Sequence, residues 1–160
     1  MKLHEIITVV DENNQDMIGE YLDNLLTDSV SSEKAKIHFT FLQKIFEKLA
    51  YSNLEILCSE KTQLDIKVNG QSFTKRYEII KPLRKAPVYE VRYGLSRNEH
   101  LRLLFFPFTF EKVSYYIFVK VVVKTLIPDV NETNAMRDLT YNVYLDVKRT
   151  PKKYLEGEKS

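Results

Sequence analysis

The sequence has a single cysteine, four glycines, three histidines and no tryptophan. A lone Cys58 leaves no internal disulfide framework and no multi-cysteine zinc site, and nothing beside it in sequence marks an activated thiol. No glycine-rich phosphate loop and no nucleophile elbow stands anywhere in the chain. His4, His38 and His100 lie too far apart to offer metal-ligand spacing. No metal and no cofactor is therefore expected. Apolar runs stay far below the roughly 18 residues of a spanning helix. The opening MKLHEIITVVDENNQD turns acidic after a short apolar run, unlike a signal peptide. These absences argue against a membrane partner and make the cytoplasm the default location.

What is present is ordinary in amount and uneven in placement. The 160 residues are 44% hydrophobic and 29% charged, with 10 Tyr and 9 Phe, a length that buries a core within one domain. The net charge of +2 hides a gradient. Residues 1–30 hold Lys2 against seven acids, whereas residues 81–125 hold nine bases against three acids. A basic third quarter suggests an anionic partner, although a solvated basic surface facing an acidic helix is the simpler account.

The pattern of apolar residues predicts an α+β chain. His4 to Val10 is a β-branched run ended by Asp11-Glu12-Asn13-Asn14, a strand and turn. Met17, Ile18, Tyr21, Leu22, Leu25 and Leu26 recur at helical spacing. Ser31 or Ser32 caps a second helix with the stripe Ala35, Phe39, Leu42, Phe46 and Leu49, broadened by Phe41 and Ile45. Leu64, Ile66 and Val68 alternate into Asn69-Gly70, a strong hairpin signal, so Gln71 to Arg76 returns antiparallel. Val88–Tyr93, Leu101–Phe106 (ending at Pro107) and Ser114–Val123 read as an antiparallel meander. Asp129 with Glu132 resembles a capping box opening a helix that carries Val130, Ala135, Leu139, Val143 and Val147. Residues 148–160 are charged and read as a mobile tail.

Strand alternation sets Glu90 with Arg92, Arg102 with Leu104, and Lys120 with Lys124, each set on one face of its strand. Were the registers to agree, Arg92, Arg102, Lys120 and Lys124 would converge. Guanidinium forks match phosphate oxygens, so such a face suits a phosphodiester. Each residue taken alone also fits a solvated or ion-paired strand cation, with Glu90 a partner for Lys124.

Tyr21 to Leu25, Lys81 to Arg84, Val88 to Arg92, Leu101 to Phe106 and Tyr116 to Thr125 together resemble, in order and spacing, passages of the RelE/HigB-type toxins, particularly the phage-derived HigB-like branch. Tyr21-Leu22-Asp23-Asn24-Leu25 is similar to that family's early helix. Lys81-Pro82-Leu83-Arg84 followed by Val88-Tyr89-Glu90-Val91-Arg92 resembles its K-x-L and L-Y-E-L-R passage. Leu101 to Phe106 resembles its Y-R-I-L-Y-F strand, and Tyr116 to Thr125 its strand ending in Lys-Lys-Thr. Pro128, Ala135 and Arg137 match the entry and the basic, Ala-rich character of its closing helix. The similarity spans residues 4–147, with about residues 55–78 an inserted hairpin.

The resemblance implies a RelE-like fold and the toxin of a type II toxin–antitoxin pair, a metal-free endoribonuclease acting on ribosome-associated mRNA. It implies Arg92, Arg102 and Lys124 at the scissile phosphate, Lys81, Arg84 and Lys120 as RNA contacts, and a helix-turn-helix antitoxin as partner. The sequence departs from the pattern at Val119, where the family often has His, and at Val123, which replaces the first Lys of Lys-Lys-Thr. A non-catalytic binding protein on the same scaffold, such as a phage-encoded regulator that inhibits a host protein, stays open, as does an unrelated interaction protein.

Overall fold

The computed structural model describes residues 1–125 and 130–155, with Val130 and Asn131 as backbone only. The chain is α+β, with a five-stranded mixed sheet and a separate two-stranded sheet. Strand β1 (Glu5–Thr8) leads to helices α1 (Met17–Asp28) and α2 (Glu33–Tyr51). Side-chain caps start both helices: Asp16 accepts from the Gly19 amide and Ser32 from the Ala35 amide, satisfying donors that a first turn leaves unpaired. A short helix that the sequence pattern did not suggest, α3 (Leu54–Ser59), follows.

Strands β2 (Thr62–Val68) and β3 (Gln71–Tyr77) form the expected hairpin. Asn69 and Gly70 both take positive φ, +51° and +78°, which matches the twist of the flanking strands. The remaining strands are β4 (Ile80–Pro82), β5 (Tyr89–Gly94), β6 (His100–Phe110) and β7 (Val113–Lys124). Helices α4 (Val130–Arg149) and α5 (Pro151–Tyr154) close the described chain. The large sheet runs β1-β7-β6-β5-β4, antiparallel except that β1 lies parallel to β7.

The meander is longer than the sequence suggests. Strand β6 runs through Pro107 to Phe110, and the turn into β7 is Glu111-Lys112, both at positive φ. Pro107 is tolerated because the β5 ladder ends at Tyr89–Phe105, so this part of β6 pairs with β7 alone.

Each face of the sheet has its own core. Against one face pack Ile18, Phe41, Leu42, Ile45 and Leu49 from α1 and α2, meeting Val91, Tyr93, Leu103, Phe105, Tyr116 and Phe118. The most buried stripe of α2 thus includes Phe41 and Ile45, while Phe39 and Phe46 are only half-buried. Leu64, Ile66 and Val68 of β2 join the same core, so the hairpin is part of the packed body. Against the other face α4 places Val143 and Val147 over Phe106, Ile117 and Val119. Ala135 is exposed and Leu139 half-buried, because only the C-terminal half of α4 reaches that core. The expected Asp129 cap lies outside the described residues.

The chain beyond residue 148 also differs from the expected charged tail. Leu155 is 2% exposed within the second core, Tyr154 packs beside it, and Asp146 accepts hydrogen bonds from Arg149, Lys153 and Tyr154. Pro151 starts the short α5, which turns Tyr154 and Leu155 back onto the domain. Residues 156–160 lie outside the described set. Among the described residues no helix is long and apolar enough to cross a membrane.

Candidate functional site

A β-bulge in β7 decides which cations share a face. Lys120 stands opposite Leu104 and Phe118 opposite Phe105, leaving Val119 as one extra residue without a partner. Tyr116 and Phe118 face the helix pair, yet after the bulge it is Val121 that does so. Lys120, Val122 and Lys124 are thereby carried to the opposite face. There they join Arg102, which pairs with Val122, and Arg92, which pairs with Arg102.

Arg92 and Arg102 share one counterion. Glu90 Oε1 lies 3.4 Å from Arg92 Nε and 3.7 Å from Arg102 Nε, and the Glu90 side chain is only 3% exposed. These contacts balance charge without making aligned hydrogen bonds: Glu90 Oε2, Arg92 Nε and Arg102 Nε are buried with no hydrogen-bond partner among the described residues. Arg102 Nη1 donates to the Leu101 carbonyl. Burial lowers the Arg102 pKa, and the neighbouring Arg92 charge adds to this against the pull of Glu90. Lys124 lies opposite His100, one residue pair beyond Arg102–Val122 on the same face of the ladder. Burial holds its ammonium below the ordinary lysine range, with Arg102, Arg92 and Lys81 pushing the same way and Glu90 opposing.

Arg92 and Arg102 open into a cavity of about 740 Å³ at the end of β5 and β6, whose wall includes Lys61, Lys75, Arg76, Tyr77 and His100. Hairpin strand β3 is fastened to β5 here: Lys75 Nζ donates to the Gly94 carbonyl at 3.0 Å, and the Tyr77 hydroxyl donates to the Arg92 carbonyl at 2.5 Å. Lys75 Nζ also sits 4.2 Å from the centre of the Tyr93 ring, a cation–π contact. Burial lowers the Lys75 pKa and raises that of the Tyr77 phenol, which Arg102 partly counters.

The remaining residues singled out from the sequence lie elsewhere. Lys120 is 2% exposed, its ammonium 2.6 Å from Asp11 Oδ2 and 2.7 Å from Glu12 Oε1. Salt-bridged to the turn after β1, it is not brought into the Arg92–Arg102 cluster. Lys81 and Arg84 are exposed on and just after the edge strand β4, lining a separate hollow of about 200 Å³ with Thr133, Asn134 and Arg137 of α4. Cys58 is half-buried and its thiol pKa is raised by burial, which disfavours the reactive thiolate. His38 hydrogen-bonds the Tyr93 hydroxyl through Nδ1, a half-buried core histidine.

Sequence reasoning missed Lys61, Lys75, Arg76, Tyr77 and His100. The basic pair Lys75-Arg76 at the end of a strand is the one available signal, and it falls within the segment that reads as an insertion. Chemically, the cavity sets five cations against the carboxylate of Glu78 in its wall. It suits a multiply charged anion, and phosphate oxygens match the guanidinium donors. No family model matches the chain, and no curated protein or solved structure matches it.

Proposed function

We propose that the chain is the toxin of a type II toxin–antitoxin pair, a RelE/HigB-type endoribonuclease whose Arg92, Arg102 and Lys124 take the scissile phosphate of mRNA. The observation that carries this reading is the pairing of Arg92 with Arg102, on the same sheet face as Lys124, at the mouth of a cationic cavity. The order strand, helix pair, meander and helix agrees with the fold that the resemblance implies. Cleavage without a metal needs cations for the charge that builds on the phosphorane and a proton for the leaving oxygen. Arg92 and Arg102 supply the first, and Lys124, with its lowered pKa, supplies the second. Lys81 and Arg84 extend the basic surface towards α4 for the flanking strand. Lys120, committed to Asp11 and Glu12, has no share in the RNA-contacting set. The partner in this reading is a helix-turn-helix antitoxin that covers the basic face.

A second reading, a non-catalytic RNA-binding protein on the same scaffold, is favoured by position 119. The residue there is a valine packed in the second core, where the resemblance implies a His able to act as base for the 2′-hydroxyl. The test is induced expression in a bacterial host with growth and transcript integrity followed, together with RNA cleavage by purified protein. The control is the double variant Arg92→Lys, Arg102→Lys, which keeps the charge that Glu90 needs and loses the guanidinium forks. Growth arrest and cleavage by the wild type, both lost in the variant at an unchanged melting temperature, are expected. RNA binding without cleavage transfers the conclusion to the second reading. Neither binding nor cleavage overturns both.

A further inference from the structure

We infer that the β2–β3 hairpin is a wall of the RNA site, with Lys61 and Arg76 holding a second phosphate of the single strand whose first phosphate lies on Arg92 and Arg102. The inference rests on the phosphate-binding reading above and extends it to a part of the chain that lies outside the family resemblance.

Three observations lead there. The cavity, open to solvent and about 740 Å³ in volume, is more than one isolated phosphate fills. Its cations come from two directions, Arg92 and Arg102 from the meander and Lys61, Lys75 and Arg76 from the hairpin. The two groups are held in fixed relation. Leu64, Ile66 and Val68 anchor the hairpin in the main core, while Lys75 and Tyr77 bond the backbone of the strand that carries Arg92.

The hairpin cations divide the work. Lys75 spends its ammonium on the Gly94 carbonyl and the Tyr93 ring, so it positions the wall. Lys61 and Arg76 are exposed, and neither is ion-paired among the described residues. Two cation pairs facing one cavity from different elements fit an extended polyanion better than a single charged group. A single-stranded backbone is such a ligand, bound by proteins through grooves of positive charge that follow it.

The experiment measures binding of a short labelled single-stranded RNA by fluorescence anisotropy across a salt series, with adenosine monophosphate as competitor. The test variant is Lys61→Gln, Arg76→Gln. The charge-matched control is Lys67→Gln, Lys112→Gln, two cations outside the cavity wall. The test variant should weaken RNA binding and reduce the salt slope by about 0.7, the decrement for one single-strand phosphate left without its cations. The monophosphate should compete as well as it does in the wild type, because Arg92 and Arg102 remain. Melting temperatures should match, since both side chains are exposed.

Equal behaviour of test and control variants overturns the inference, and leaves the Arg92–Arg102 reading standing if Arg92→Lys, Arg102→Lys still weakens binding. Loss confined to the hairpin variant overturns the Arg-centred reading and, with it, the two-phosphate site inferred here. A monophosphate affinity that falls as far as the RNA affinity identifies a free nucleoside phosphate as the occupant and overturns the strand. No RNA binding by the wild type overturns both.

Discussion

Arg92 stands directly opposite Arg102 in the β5–β6 ladder, two like charges at a pairing where unlike charges or apolar side chains are the stable choice. The arrangement holds because Glu90, two residues before Arg92 on the same face, is buried between the two guanidinium groups. The pair carries a net positive charge, and its two buried Nε atoms make no hydrogen bond among the described residues. Such a site is costly to fold and well suited to an incoming anion.

Glu90→Gln tests the counterion directly. Removing one partner of a buried ion cluster costs about 2–3 kcal/mol here, less than the usual 3–5 or so because Arg92 is a third exposed. Urea denaturation should show that loss, and Arg102→Leu added to Glu90→Gln should recover part of it. A wild-type midpoint for Glu90→Gln would mean that the carboxylate does not hold the arginines.

Lys124 predicts a pH profile. If its ammonium gives a proton to the leaving oxygen, cleavage should fall as pH rises through its lowered pKa, below the ordinary lysine value near 10.4. Glu90 works to raise that pKa, so Glu90→Gln should move the falling limb to lower pH. Lys124→Arg, permanently charged, should remove the limb. A limb that ignores both substitutions excludes Lys124 as the proton donor.

Lys120 should behave as a structural residue. Lys120→Ala leaves Asp11, whose side chain is 1% exposed, without its ion partner, at a cost of about 3–5 kcal/mol. The salt slope of RNA binding should not change. Burial raises the Asp11 pKa, but hydrogen bonds from Lys120 and from the Gln15 and Asn13 amides outweigh it and hold the carboxyl below its ordinary value. A depressed folded pKa gives stability that is present above the unfolded value and lost as pH falls through the folded one. Wild-type melting temperature should therefore drop below about pH 4, and Asp11→Asn should flatten that part of the curve. An unaltered acid limb in Asp11→Asn would place the acid sensitivity elsewhere.

The end of the described chain offers a simple check. Leu155→Ala should lower stability by about 2–5 kcal/mol, the usual cost of emptying a buried leucine site. Cutting after Thr150 should cost at least as much, since it also removes the Tyr154 bond to Asp146. Proteins with unchanged denaturation midpoints would show that α5 does not contribute to the core.

Much of the fold is legible because its instructions are local. Asn69-Gly70 adopts a turn that few other pairs enter without strain, and Ser32 caps the helix that follows it because a hydroxyl three residues before Ala35 reaches the right amide. Alternation along β5 and β6 puts Arg92 and Arg102 on one face each, and a short connection makes them neighbours. Where local chemistry is ambiguous the structure departs from it. Pro107 ordinarily ends a strand, but its position past the end of the β5 ladder removes the penalty.

The sequence by itself determined the α+β pattern, the hairpin, the meander and the concentration of positive charge in residues 81–125. Only tertiary structure decided which cations act together. Lys120 and Lys124 share a strand face and nearly the same sequence context, yet Lys120 is claimed by Asp11, 109 residues away, while Lys124 remains beside Arg102. The bulge at Val119 likewise exists only in relation to the register of β6, and the docking of Lys75 and Tyr77 on β5 depends on how a hairpin packs against α2. Side-chain periodicity reports which way a residue points from its own backbone. It carries no information about which distant charge will be waiting there, because that is fixed by packing that satisfies both cores at once.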